Sequence, residues 1–214
     1  MTLYKYGSIG PVVAQIQKAL SLLPDGKYLL ETEAAVCAFQ KEHGLKVDGI
    51  VGPATLAKLI PVRLKKSRRK IDKIIVHCTA TPEPENYTVE QIRRDHIKQG
   101  WSDIGYHYVI YRDGSVHNGR DVDIQGAHCY DGGGNIGSIG VCYVGGIEKR
   151  REGVPYSKLK SKDTRTDKQR YALIDLLCKL RVLYPDAKIY GHRDFDKHGK
   201  QCPSFDAKTE YKDI

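Results

Sequence analysis

The sequence predicts an α/β protein: a mixed β-sheet domain flanked by helices, preceded by a small three-helix module. Three observations carry this. Residues 71–214 alternate short apolar strand patterns with two amphipathic helices. Residues 1–60 show only helical periodicity, organised as an internal repeat. Between them lies "PVRLKKSRRK", residues 61–70, with six basic side chains and no acidic one.

The elements follow in chain order. Val12, Val13, Ile16 and Leu20 mark a first helix, Ala34, Ala35, Ala38 and Phe39 a second, and Leu56, Leu59 and Ile60 a third. "DGKYLLET" from Asp25 and "DGIVGPAT" from Asp48 each open with Asp-Gly and reach a threonine (Thr32, Thr55). Asp-Gly makes a turn, because glycine accepts positive φ and aspartate bonds nearby backbone. Pro53 suits the first turn of the last helix, where its missing N–H costs nothing. From Ile71, "IDKIIVHCTAT" reads as a strand, with Ile75, His77 and Thr79 on one face and Ile74, Val76 and Cys78 on the other. Thr88 caps the next helix with Gln91 as its box partner, and Gly100 ends it. "IGYHYVIYRDGSVHNGR" is a hairpin turning at Asp113-Gly114. "NIGSIGVCYVGG" is a strand, and the helix after it opens with a Thr166/Gln169 box. "AKIYGHRD" is a last strand that ends at His192.

The net charge of +9 concentrates in residues 61–70. The first sixty residues carry six lysines against five acids, and residues 71–214 carry 23 basic against 21 acidic side chains. The ten-residue segment therefore reads as a solvated linker, or as a contact for an anionic surface such as wall polymer or phospholipid. Nucleic acid is not expected as a partner: no aromatic residue interleaves with the charges, and neither flank is basic. No stretch approaches the roughly 18 apolar residues of a membrane span, so no stable insertion is expected. The N-terminus lacks an apolar core of signal-peptide length. Cys37, Cys142 and Cys178 sit in apolar patterns and read as buried thiols. Cys202 differs, lying among polar, turn-forming residues in "GHRDFDKHGKQCPSFD".

His77, His192 and Cys202 satisfy the inventory of a catalytic zinc site, three nitrogen or sulfur ligands with a position left for water. Their separation along the chain makes the spacing a weak argument by itself. Taken singly, His77 is equally a satisfied core group, Tyr106 a strand aromatic and Lys200 a solvated loop charge. His128 lies in a loop, where it lines a cleft or serves structure. His96 and His107 read as structural.

Family resemblance sharpens these readings. "VVAQIQKAL" and "TEAAVCAFQKEHGLKVDGIVGPATLAKL" resemble the type 1 peptidoglycan-binding domain over residues 5–60. "IIVHCTAT", "GWSDIGYHYVIYRDGSVHNGRD", "GAH", "NIGSIGVCYVGG" and "KQCPSFD" resemble the zinc-dependent N-acetylmuramoyl-L-alanine amidases of type 2, which share their fold with peptidoglycan recognition proteins. The resemblance implies one Zn²⁺ per chain on His77, His192 and Cys202, with Tyr106 and Lys200 as catalytic side chains. Its interval between the second histidine and the cysteine is longer here than in phage members, so Lys200 is placed by its position two before Cys202, with His198 as rival. The domains implied are 1–60 for wall binding, 61–70 as linker and 71–214 for catalysis. The function implied is hydrolysis of the amide between the lactyl group of N-acetylmuramic acid and L-alanine in bacterial peptidoglycan, by a monomeric endolysin. Such a protein is made in the cytoplasm without a signal peptide and acts on the wall after release. A binding-only recognition protein and a zinc carboxypeptidase on the stem peptide are the alternatives. Cys202 favours the enzyme, since fold members that lose catalysis usually lose that cysteine.

Overall fold

A computed structural model describes residues 3–60 and 64–214. Pro61, Val62 and Arg63 of the expected linker lie outside the described residues. The chain divides into two compact units. One comprises residues 1–64 with 174–185 and 213–214; the other comprises 65–173 and 186–212.

The first unit holds helices α1 (Pro11–Ala19), α2 (Leu30–Glu42) and α3 (Pro53–Leu59). Val12, Val13 and Ile16 are buried, as their spacing requires. The second helix departs from expectation. Ala34 and Ala38 are exposed and Ala35 and Phe39 only half-buried, while Thr32, Val36 and Gln40 face inward. The reason is polar. Gln40 Nε2 donates to Asp48 Oδ1 (3.1 Å), Ile50 O (3.0 Å) and Thr55 Oγ1 (3.2 Å). Its Oε1 accepts from the backbone N–H of Asp48 (3.1 Å) and Gly49 (3.0 Å). Gln17 repeats the pattern toward Asp25, Lys27 O, Thr32 and Gly26 N–H. Each Asp-Gly turn is thus threaded by a buried glutamine, which satisfies backbone groups that water cannot reach. The helix rotates to deliver that amide, and hydrophobic periodicity loses.

The second unit begins with strands β1 (Lys73–Cys78) and β2 (Thr81–Pro82), then helix α4 (Val89–Lys98). Strands β3 (Tyr108–Ile110), β4 (Val116–Asn118), β5 (Ser138–Tyr143) and β6 (Gly146–Ile147) follow. Helix α5 (Asp167–Leu183), whose residues from Ile174 onward belong to the first unit, strand β7 (Lys188–Gly191) and helix α6 (Ala207–Glu210) close the order. The main sheet runs β4-β3-β5-β1-β7 and is mixed: β3, β5, β1 and β7 are parallel, and β4 is antiparallel to β3. Both expected capping boxes form. Gln91 N–H donates to Thr88 Oγ1 (3.3 Å) and Thr88 N–H to Gln91 Oε1 (2.8 Å). Thr166 and Gln169 do the same (3.0 and 3.1 Å), and Gln169 Nε2 goes on to bond Ile110 O and Val144 O. Val89, Ile92, Ile104, Val109 and Val144 form a core cluster against which Tyr106 packs.

The described part of the basic segment is tied to this unit. Lys65 Nζ bonds Asp121 and Asp123, Arg68 pairs with Asp123, and the buried Ser67 hydroxyl donates to Val122 O (2.7 Å). All six cysteines are free thiols; Cys142 and Cys178 are buried and Cys37 is half-buried. Among the described residues no helix is long and apolar enough to cross a membrane.

Candidate active site

Parallel pairing brings the histidines together. In the β1–β7 register Val76 sits opposite Gly191, so the next residues, His77 and His192, emerge side by side at the carboxyl ends of adjacent strands. That edge of a parallel sheet is where side chains and loops converge on a ligand. The two rings lie 4.8 Å apart, centroid to centroid. The loop after β7 folds back: Arg193 N–H donates to Cys202 O (2.8 Å), and the Tyr143 hydroxyl donates to Pro203 O (2.7 Å). Cys202 Sγ thereby stands 3.9 Å from His77 Nδ1 and accepts from Cys78 N–H (3.3 Å). Ligand atoms of His77, His192 and Cys202 all fall within 4.8 Å of one another. Two imidazoles and a thiol, partly buried and without a carboxylate among them, are a donor set that fits Zn²⁺ and suits Mg²⁺ or Ca²⁺ poorly.

Burial governs the electrostatics. It holds His77 well below 6.5, helped by His128, His192 and Lys200. It lowers His192 as well, with Lys200 adding to the effect. Neutral imidazoles are the form that ligates a cation. The Cys202 thiol is pushed well above 9 by its hydrogen bond with the Cys78 thiol and by burial. A bound cation reverses that, because a coordinated thiol is deprotonated.

A cleft of about 550 Å³ opens beside this group and reaches it at His192. Tyr106, His128, His192 and Lys200 all line it. Tyr106 lies just before β3, with its ring 5.2 Å from that of His77. Burial, and then the thiols of Cys142, Cys202 and Cys78, raise its hydroxyl well above 10. Lys200 is displayed by a turn built on Asp196, whose Oδ2 accepts from the N–H groups of His198 (2.8 Å) and Lys200 (2.7 Å). Lys200 Nζ stands 3.8 Å from the other oxygen, Oδ1, which is buried and makes no hydrogen bond. His198 does not line the cleft. His96 and His107 serve structure: His96 Nδ1 accepts from Gly105 N–H (3.0 Å), and His107 Nδ1 from Gly140 N–H (2.9 Å).

Sequence reasoning passed over Trp101, Tyr130 and Asn135, which also line the cleft. The Trp101 ring packs on His96 with centroids 4.3 Å apart. Tyr130 is 91% exposed in "HCYDGGGN". A large aromatic in a glycine-rich loop was the available signal.

A mostly parallel sheet that gathers imidazole, thiol, phenol and ammonium groups at one edge belongs to the class of α/β hydrolytic enzymes with a site at the strand ends. A family model described as N-acetylmuramoyl-L-alanine amidase matches residues 67–205, and the chain belongs to that family. It is an enzyme, a peptidoglycan amidase. A second model, described as a putative peptidoglycan binding domain, matches residues 9–59. The endolysin of Klebsiella phage KP32 is 43% identical over 141 residues, 66% of this chain and 85% of that protein. The endolysin of Escherichia phage T7 is 42% identical over 143 residues, 67% of this chain and 87% of that protein. Among solved structures, the N-acetylmuramoyl-L-alanine amidase LysC from Clostridium intestinale superposes with a TM-score of 0.53 at 26% identity. That match covers 67% of this chain and 83% of LysC.

Proposed function

We propose that the chain is an endolysin that holds one Zn²⁺ on His77, His192 and Cys202 and hydrolyses the lactyl–L-alanine amide of peptidoglycan. The convergence of those three donors at the ends of β1 and β7 carries this reading. Residues 1–60 hold the enzyme on the wall, 61–70 connect, and 71–214 carry the chemistry. In this reading the chain is made in the cytoplasm and acts on the wall after release, and its likeness to phage endolysins supports the wall as its place of action.

Zinc bound there supplies Lewis acidity and lowers the pKa of water it holds to about 7. The side chains do the rest. Attack of water oxygen on the amide carbon drives charge onto the carbonyl oxygen. The Lys200 ammonium and the Tyr106 hydroxyl, both on the cleft wall, donate to that oxygen. Each such donor is worth about 2–4 kcal/mol of barrier. The raised pKa of Tyr106 keeps its proton in place, so it serves as donor and not as base. Breaking the C–N bond leaves an amine that takes up the proton the attacking water gives up; Lys200, the ammonium on the cleft wall, can pass one to the amine and be restored from that water, so the step balances. His128 contributes to the wall on which the substrate lies.

Digestion of purified peptidoglycan tests the reading. New amino groups on L-alanine with intact glycan, abolished by chelation and restored by zinc, are expected. Released D-alanine would instead make the protein a stem-peptide carboxypeptidase. Wall binding without a new product would make it a recognition protein.

A further inference from the structure

His128 stands outside the three-donor group, yet it is only 6% exposed and its ring is fitted closely. Two glycines make its room. A Cβ at Gly126 would lie 2.4 Å from His128 Cδ2, and a Cβ at Gly140 would also lie 2.4 Å from that atom. Any side chain at either position would displace the ring. The backbone beneath it is pinned too: the N–H groups of His128 and Cys129 both donate to Asn135 Oδ1, at 2.9 and 2.8 Å. A residue that merely lined a wall would need none of this.

The ring's two nitrogens have definite partners. His128 Nδ1 lies 3.0 Å from His77 Nε2, and His128 Nε2 lies 3.3 Å from Ser138 Oγ. Ser138 Oγ in turn lies 3.1 Å from Asn135 O, a carbonyl that can only accept. His77 turns its Nδ1 toward Cys202 Sγ. If Nδ1 is the ligating atom it is bare, and the His77 proton is on Nε2. Every hydrogen bond then has one direction. His77 Nε2–H donates to His128 Nδ1, His128 Nε2–H donates to Ser138 Oγ, and Ser138 O–H donates to Asn135 O.

We propose that His128 is a positioning residue for His77. Together with Ser138, it fixes the tautomer and ring orientation in which His77 offers Nδ1 to the metal. This rests on the zinc reading above and extends it from the ligands to what holds one of them. Ligating histidines commonly give their second N–H to a carboxylate or a carbonyl. Here the acceptor is a second imidazole and the chain ends on a peptide carbonyl, so it orients the ligand without adding negative charge. A site that already carries a thiolate thereby keeps more of its Lewis acidity.

The test uses the full chain, with zinc affinity measured by competition against a chromophoric chelator and ligand geometry read from the absorption spectrum of the Co²⁺-substituted protein. His128→Ala is expected to bind zinc about 10- to 100-fold more weakly, the usual cost of removing an outer-shell partner. Its Co²⁺ bands should shift as well. Ser138→Ala should move both readouts the same way by less. His128→Asn, which keeps an acceptor oxygen close to the place of Nδ1, should recover part of the affinity. Should His128→Ala fail to fold, the Asn and Ser138 variants decide. Unchanged affinity and spectrum in the variants overturn the proposal. So does a raised KM with zinc affinity and Co²⁺ spectrum both unchanged, which leaves the ring only its place on the substrate wall. The two readings fail separately. If the unaltered chain takes up no stoichiometric zinc, or Cys202→Ser binds it equally well, the zinc site itself is wrong and the proposal falls with it.

Discussion

Replacing Gln40 by methionine keeps the volume of the side chain and removes its amide. Five hydrogen bonds are lost, and those to Gly49 N–H (3.0 Å) and Thr55 Oγ1 (3.2 Å) are buried. Each buried partner left without a bond costs about 1–3 kcal/mol, and partners that water can reach cost less. Two such partners would cost about 2–6 kcal/mol if the terms added, and because bonds to one side chain do not add fully the expected destabilisation is about 2–4 kcal/mol. A module of about 60 residues commands only about 3–9 kcal/mol in total, so the loss is a large share of it. Native-state hydrogen exchange at the Gly49 amide reads this directly, and the rate should rise about 30- to 1000-fold. Sedimentation with cell walls should weaken in the same variant, while hydrolysis of soluble muropeptide persists. Gln17→Met should act alike at Gly26, whose N–H donates to Gln17 Oε1 at 2.8 Å. Protected exchange at Gly49 together with full wall binding would refute the idea that buried amides, and not the alanine face of α2, hold the turns.

Cys202→Ser should lose stoichiometric zinc and nearly all lysis while still sedimenting with walls; metal analysis and a turbidity assay check both halves. Tyr106→Phe and Lys200→Met should each lower kcat about 10²- to 10³-fold, as loss of an oxyanion donor does, with zinc content unchanged. Loss of zinc in either would move that residue from catalysis to structure. His107 supplies a pH prediction. Burial lowers its pKa from 6.5 to about 4, and it is 1% exposed. Above pH 6.5 both folded and unfolded states hold it neutral. Between pH 6.5 and 4 the unfolded chain takes up a proton that the folded chain refuses, so stability falls on acidification, by about 3 kcal/mol in all. His107→Gln keeps an acceptor for Gly140 N–H and a donor for Ile124 O. Denaturant melts of the metal-free protein should show a shallower acid slope for this variant. Equal slopes would place the titration elsewhere.

Much of the fold is written locally. The boxes at Thr88/Gln91 and Thr166/Gln169 form because a cap satisfies backbone groups within one turn, and neighbours in sequence are enough to specify it. The strands at "KIIVHC" and "SIGVCY" are legible because apolar runs bounded by turn residues have few other uses. The second helix was misread because its buried face carries Thr32 and Gln40, and a hydrophobic count gives no credit to a polar group that is buried for its bonds.

By itself the sequence determined the element order, the caps, the repeated Asp-Gly turns and, through its motifs, the family. Tertiary structure decided what those residues do to one another. His77 and His192 meet because β1 and β7 pair in parallel with Val76 opposite Gly191, and no local preference encodes a register between distant strands. Cys202 joins them because its loop bonds back to Arg193 and Cys78, and His128 acquires a partner because Gly126 and Gly140 leave it room. Local structure depends on interactions within a turn or a strand, whereas a site depends on which distant surfaces are packed together, and only the folded chain determines that.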